Sequence, residues 1–282
     1  MSTQQTLVVI APQLDPRRIV DLAQLAEAPH LDHPLPDVAR MRGANPERKT
    51  AVLAACREYG YDAAYVDSGR NLADFRLLVS DMDSTLINIE CIDEIADLQG
   101  LKAKVAAITE RSMRGELDFA DSLRERVALL AGLPESALET VYRERLRLNP
   151  GAEALLAACK RLGIKFMLVS GGFTFFTERL KAELGLDFAY ANQLETDNGK
   201  LTGRVQGDIV DAAAKARRLR ETRDALKLKP EQTLAVGDGA NDLLMLAEAG
   251  VGVAYHAKPV VSARADIAIE RGGLDTLLKL FL

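Results

Sequence analysis

Three short apolar runs, Phe75–Ser80, Lys165–Val169 and Thr233–Val236, each lead straight into a polar cluster. None shows polar alternation, the pattern of strands buried on both faces of a parallel sheet. Such strands alternating with helices imply a doubly wound α/β fold, with ligand at the shared strand ends. Asp81 and Asp83 follow the first run, Ser170-Gly171-Gly172 the second, and Gly237-Asp238-Gly239-Ala240-Asn241-Asp242 the third. One such cluster reads as an ordinary solvated turn. Three in succession, brought to one sheet edge, read as a site.

The rest of the chain arranges itself around this series. Val251–Ala254 and Ile267–Ile269 extend it, and a helix is expected over about Ile209–Leu226 and another over Asp242–Ala249. Asp197-Asn198-Gly199-Lys200 marks a hairpin turn between Tyr190–Leu194 and Leu201–Val205. From about residue 87 to 148 helix formers dominate, including Leu117–Leu130, so a helical insertion after the first strand is expected. Residues 1–72 read as a small α+β module: strand Thr6–Ala11, helix Arg17–Leu25, weak strand Val38–Met41, helix Glu47–Tyr59 and strand Asp62–Val66. These elements form either a separate module or an extension of the main sheet. The turn-rich Ser68-Gly69-Arg70-Asn71 is the expected boundary, with residues 73–282 as the core.

Bulk composition narrows the function classes. The chain of 282 residues has 48% hydrophobic and 27% charged residues, an ordinary globular composition. A net charge of −5 argues against nonspecific binding to nucleic acid or an anionic membrane. No apolar run approaches the ~20 residues of a membrane span, and Thr6–Ala11 lacks the basic leader of a signal peptide. Cys56, Cys91 and Cys159, three and far apart, read as buried thiols of a reduced, cytoplasmic chain. His30 and His33 in a turn-rich loop, and His256 after a strand, lack metal-ligand spacing.

The residue types suit phosphoryl transfer. A carboxylate attacking a phosphate monoester is repelled unless a cation lies between them, and Mg²⁺ takes oxygen ligands. Asp81 and Asp238 are the expected carboxylate ligands, Asp83 contributes its backbone carbonyl, and Asp242 ligates directly or through water. Asp81 is the candidate nucleophile. Asp83, two residues on in an extended segment, is expected to point the same way and act as general acid and base. Neighbouring negative charge is expected to raise its pKa. The Ser170 hydroxyl and Gly171 amide are candidate donors to the transferring group. Lys215, among Arg217, Arg218, Arg220 and Arg223, reads by itself as one more solvated charge.

Asp81-Met82-Asp83-Ser84-Thr85, Ser170, Lys215 and the acidic end Gly237–Asp242 stand in the order of the haloacid dehalogenase superfamily, which residues 75–282 resemble. The insertion, with Glu90, Met113, Gly115, Phe119 and Ser122–Val127, resembles the cap of the phosphoserine phosphatase family within it. The resemblance implies a Rossmann-like core under a helical cap, a Mg²⁺ cofactor and O-phospho-L-serine as small-molecule substrate in L-serine biosynthesis. It brings Lys215 and Asn241 into phosphate binding, and it assigns Glu90 to the substrate ammonium and Arg126 to its carboxylate. Met113 and Phe119 close over the site, beneath a cap that opens and closes. Read without the family, Met113 and Phe119 are core residues and Arg126 a solvated charge. Longer relatives carry ACT-like N-terminal modules that bind amino acids or mediate pairing, which implies a regulatory or homodimerising role for residues 1–72. Three other functions fit parts of the pattern. They are a phosphotransferase or phosphatase for another small monoester, a phospho-acceptor signalling protein, and a non-catalytic amino-acid sensor.

Overall fold

The structure, a computed structural model, describes residues 4–114 and 116–282, with every side chain among these except that of Met113. The N-terminal part runs β1 (Gln5–Ile10), α1 (Pro16–Leu25), β2 (His30–Leu35), β3 (Val38–Arg42), α2 (Lys49–Tyr59) and β4 (Asp62–Asp67). Its four strands form an antiparallel sheet of their own, in the order β2-β3-β1-β4. Strand alternation divides its residues: Leu7, Val9 and Met41 lie under α1 and α2 with Ile19, Leu22 and Val52. Val8, Ile10, Val38 and Val66 join the main core with Phe75 and Phe281. Burying each such side chain is worth about 1.5–3 kcal/mol, so the two sheets share apolar contact and are not merely tethered. Polar anchors add direction. Asp62, itself buried, accepts backbone amides of Glu270 (2.8 Å) and Gly272 (2.7 Å), and Lys279 pairs with Asp37 at 2.8 Å.

His30 and His33 lie in β2 and not in a loop. This strand is an exposed edge that contains Pro34 and pairs irregularly after Asp32. An edge strand needs neither a buried face nor every amide, so it lacks the apolar signal of an inner strand.

The main sheet has seven strands in the order β11-β10-β9-β5-β6-β7-β8. Chain order after β4 is β5 (Leu77–Ser80), α3 (Cys91–Asp97), α4 (Lys102–Met113), α5 (Phe119–Ala128), α6 (Ser136–Thr140), α7 (Ala152–Leu162) and β6 (Lys165–Phe173). Then come α8 (Thr174–Leu184), β7 (Phe188–Asp197), β8 (Lys200–Gln206), α9 (Ala212–Ala225), β9 (Thr233–Gly237), α10 (Leu243–Glu248), β10 (Val251–Tyr255), α11 (Pro259–Ser262), β11 (Ile267–Ile269) and α12 (Thr276–Leu280). All pairs are parallel except β7–β8. The expected strands are present, with shifted ends. β6 runs past Ser170 to Phe173, and α5 starts at Phe119 because the Asp118 carboxylate caps it, accepting the Asp121 amide at 2.8 Å. Helices α7 and α8 were not anticipated.

Helices α3–α6 form the insertion, closed at its base by an antiparallel bridge between Ile87 and Leu148. A second attachment joins it to the β7–β8 hairpin. Gly132 donates to Leu201 O and Leu201 to Leu133 O, both at 2.8 Å, and Glu135 donates to Gly199 O at 3.0 Å. At Gly203, φ is +81° and a Cβ would lie 2.9 Å from Ala131 Cβ, so only glycine lets the strand approach this closely.

Candidate active site

The ends of β5, β6 and β9 meet at one edge, because β5 pairs with β6 on one side and with β9 on the other. After β5 the chain does not stay extended. Residues Met82–Leu86 make a tight turn in which Ser84 adopts φ +56°, so it is this turn, and not strand alternation, that orients Asp83. Asp81 Oδ1 accepts the Met82 amide and the Lys215 ammonium, both at 2.7 Å; Oδ2 takes neither bond. Lys215, on the first turn of α9, is 0% exposed and also meets Asp242 Oδ1 at 2.8 Å. Its reading as a solvated charge fails because α9 turns this residue, unlike its arginine neighbours, into the sheet edge. Asp242 is equally buried and accepts the Gly239 amide on Oδ2 at 3.0 Å. Asp238 accepts the Thr85 hydroxyl at 2.7 Å.

These groups perturb one another. Burial and the Asp242 carboxylate push the Asp81 carboxyl well above the usual range, against the pull of Lys215. Burial alone would lower the Lys215 pKa, but Asp242 and Asp81 more than offset it and hold the ammonium charged. Burial raises Asp238 to about 6. Asp83 is also raised, but the cause is burial and not the neighbouring negative charge expected from sequence. Its Oδ1 accepts the Cys91 amide at 2.9 Å, and Oδ2 lies 3.4 Å from Ser170 Oγ.

Asp81, Asp238 and Asp242 bring one carboxylate oxygen each within 4.8 Å of one another. Three carboxylates face one ammonium, and every donor is a hard oxygen, a set that fits a small divalent cation better than zinc or a soft metal. Asp83 is outside this carboxylate group.

Ser170 Oγ accepts the Gly172 amide at 2.8 Å. A Cβ on Gly171 would lie 2.7 Å from the Phe119 ring, so the cap residue Phe119 reaches down to the second strand end. Asn241 is half-buried in the turn beside Gly239. Across from these, the Ser84 hydroxyl donates to Glu90 at 2.7 Å. Glu90 is solvent-accessible at the rim, yet desolvation of its carboxyl and the nearby Asp83 push it up to about 7. Arg126 is half-buried on α5, its Nε bonded to Ser122 O at 3.2 Å and its charge facing Asp93, Glu90 and Asp83. It is therefore not the solvated charge of the family-free reading. The Met113 side chain and Gly115 lie outside the described residues.

Residues 78–247 match the haloacid dehalogenase-like hydrolase family. The chain belongs to that family. Among relatives of this hydrolase, a phosphoserine phosphatase of Polaromonas sp. is 58% identical over 214 residues, which is 74% of this chain and 91% of the relative. A family hydrolase of Salmonella enterica serovar Typhi superposes with a TM-score of 0.91 at 31% identity, covering 99% of both chains. A substrate-bound phosphoserine phosphatase superposes with a TM-score of 0.69 at 41% identity, covering 74% of this chain and 99% of that one.

Sequence reading left several parts of this hydrolase's site without a role. Gly172 is one: a Cβ there would lie 2.7 Å from Asp83 Oδ2. Thr85 was visible only as a motif position. Asn192, buried, donates to Gly171 O and accepts the Val210 amide, both at 2.8 Å. It lies 21 residues beyond Gly171, on a different strand, and no local spacing could link them.

Proposed function

We propose that this hydrolase cleaves O-phospho-L-serine to L-serine and phosphate through a phosphoryl group carried on Asp81. The observation that carries the reading is the buried Asp81–Lys215–Asp242 cluster lying beneath a cap that supplies both Glu90 and Arg126. Kinship with phosphoserine phosphatases at 58% identity supports the substrate class. Asp81, Asp238 and the Asp83 backbone carbonyl would hold Mg²⁺. When bound, it supplies positive charge beside the carboxylate and the phosphoryl oxygens. Both Asp242 oxygens already take protein donors, so its main task is to fix Lys215, with cation binding direct or through water as the lesser one.

In the first displacement Asp81 Oδ2 bonds to phosphorus as the bond to the serine oxygen breaks, and Asp83, whose protonated form burial favours, gives that oxygen its proton. In the second, Asp83 takes a proton from the water that displaces phosphate from Asp81. Ser170, the Gly171 amide, Asn241 and Lys215 hold the transferring oxygens. Glu90 faces the ammonium, and Arg126 grips the carboxylate with its planar fork. Phe119 covers the substrate. A reduced, cytoplasmic setting, supported by three buried free thiols, and pairing of two copies through the N-terminal module complete the reading. No described helix is long and apolar enough to cross a membrane.

Phosphate release from O-phospho-L-serine with Mg²⁺ tests this directly, beside EDTA and p-nitrophenyl phosphate controls. Metal-dependent release that prefers phosphoserine is expected. Arg126→Ala should cut kcat/KM for phosphoserine about 100-fold, the loss of a charge-assisted bidentate contact, and leave the aryl phosphate within a few-fold. Equal loss on both would remove Arg126 from substrate recognition.

The Glu90 environment predicts a pH signature. Its carboxyl titrates at about 7, so it is neutral below and anionic above. Only the anion attracts the substrate ammonium. The ratio of wild-type to Glu90→Gln kcat/KM should therefore rise about ten-fold from pH 6 to pH 8. Taking the ratio cancels ionisation of the substrate phosphate. A flat ratio would show that Glu90 does not meet the ammonium as an anion.

A further inference from the structure

We propose that Asn149 is a positioning residue that latches the cap hinge and sets the register in which Glu90 meets the substrate. The inference rests on the phosphatase reading above and deepens it. The cap joins the core by two strands of chain, one leaving through residues 84–90 and one returning through 146–149. Asn149 ties them together. Its Nδ2 group lies 2.8 Å from Thr85 O, 3.0 Å from Ile87 O and 3.3 Å from Ser84 O, and its backbone amide donates to Leu86 O at 3.0 Å. Three carbonyls around one side-chain end require the amide nitrogen there, because the amide oxygen would face three acceptors.

The return side is the one anchored to the core. Asn149 O accepts the Ala152 amide that opens α7, and Pro150 O accepts the Leu274 amide at 2.8 Å. A Cβ at Gly273 would lie 2.5 Å from Pro150 O, so the two loops are in direct backbone contact. The departing side carries strain instead. Ser84 has φ +56°, a region that a residue with a Cβ avoids, and its hydroxyl is the partner of Glu90 at 2.7 Å. Without the latch the Asn88–Arg147 bonds and the Asn149 N–Leu86 O bond still join the two segments. The carbonyls of Ser84, Thr85 and Ile87 lose this shared donor, which loosens the turn at Ser84 and with it the orientation of Glu90. Asp81 and Asp83 have supports of their own in Met82 N, Lys215 and Cys91 N, none of which involves Asn149.

The test is the selectivity of the full chain with Mg²⁺: kcat/KM for O-phospho-L-serine divided by kcat/KM for p-nitrophenyl phosphate. This quotient does not depend on the fraction of protein that is folded. Asn149→Ala should lower it about ten-fold. Asn149→Asp, which turns a carboxylate toward three carbonyls, should lower it further, and Asn149→Ser, which keeps one short donor, should fall between wild type and alanine. An unchanged quotient with both activities falling alongside thermal stability would reduce Asn149 to an ordinary structural residue and overturn the proposal. Hydrogen exchange separates this from the substrate assignment. The Ser84 and Ile87 amides, bonded to Ile89 O and Met82 O, should exchange at least about ten-fold faster in Asn149→Ala. A wild-type enzyme with no preference for phosphoserine would overturn the substrate, while unchanged exchange at these two amides would overturn the latch.

Discussion

Asp81→Asn is expected to lower phosphate release by at least about 10⁴-fold and to leave no phosphorylated enzyme after acid quench. The substitution keeps the shape of the side chain, and the oxygen of the new carboxamide can still accept the Met82 amide. It removes the oxygen lone pair and charge that form the bond to phosphorus. The fold should tolerate the change, because Lys215 retains Asp242 as its ion partner at 2.8 Å. The wild-type carboxylate is also costly to bury, as its strongly raised pKa reflects, so neutralising it relieves part of that cost. A thermal midpoint within a few degrees of wild type is expected. Steady-state release, rapid quench and a melting curve on one preparation decide the matter. Turnover within ten-fold of wild type would place the nucleophile elsewhere.

Asp83→Asn is expected to cost about 10²–10⁴-fold with phosphoserine, and the loss should depend on the leaving group. Serine departs as a strongly basic alkoxide and needs the Asp83 proton, whereas nitrophenolate departs without it. The first displacement is therefore impaired mainly for phosphoserine. The second needs Asp83 to accept a proton from water whatever the first product was, so it slows equally for both substrates. With the aryl phosphate, phosphorylated enzyme should accumulate and a burst of nitrophenolate should precede a slow steady state. With phosphoserine no burst is expected. Identical losses on both substrates, without a burst on either, would remove Asp83 from proton transfer. The environment suits the role: Asp83 is held by Cys91 N at 2.9 Å and confined by Gly172, where even a methyl group would lie 2.7 Å from its oxygen.

Much of the main sheet was readable from local pattern. Leu77–Ser80, Phe166–Val169 and Leu234–Val236 are buried on both faces, and that requirement is written residue by residue as an unbroken apolar run. The polar residues that end those runs were readable for the same reason. Edge strand β2 was not, since an exposed strand with a proline makes no such demand. Helices α7 and α8 were not anticipated, although α7 has a clear apolar face in Leu155, Ala158 and Cys159 and its signal is local.

Roles that depend on partners far away in sequence could only come from the fold. Lys215 has the same local surroundings as the arginines beside it, and its burial follows from which face of α9 meets Asp81 and Asp242. Asn149 carries no motif, and its three carbonyl partners lie 62 to 65 residues earlier. The raised pKa of Asp83 comes from desolvation, a property of its enclosure and not of its neighbours in the chain. The succession of inner strands, the polar residues that end them and the family were legible in residue type and spacing, because strand burial and motif geometry act over a few residues. Which charges are buried, which are paired and which loops are held still was settled by packing, because these depend on distances in space that no local spacing encodes.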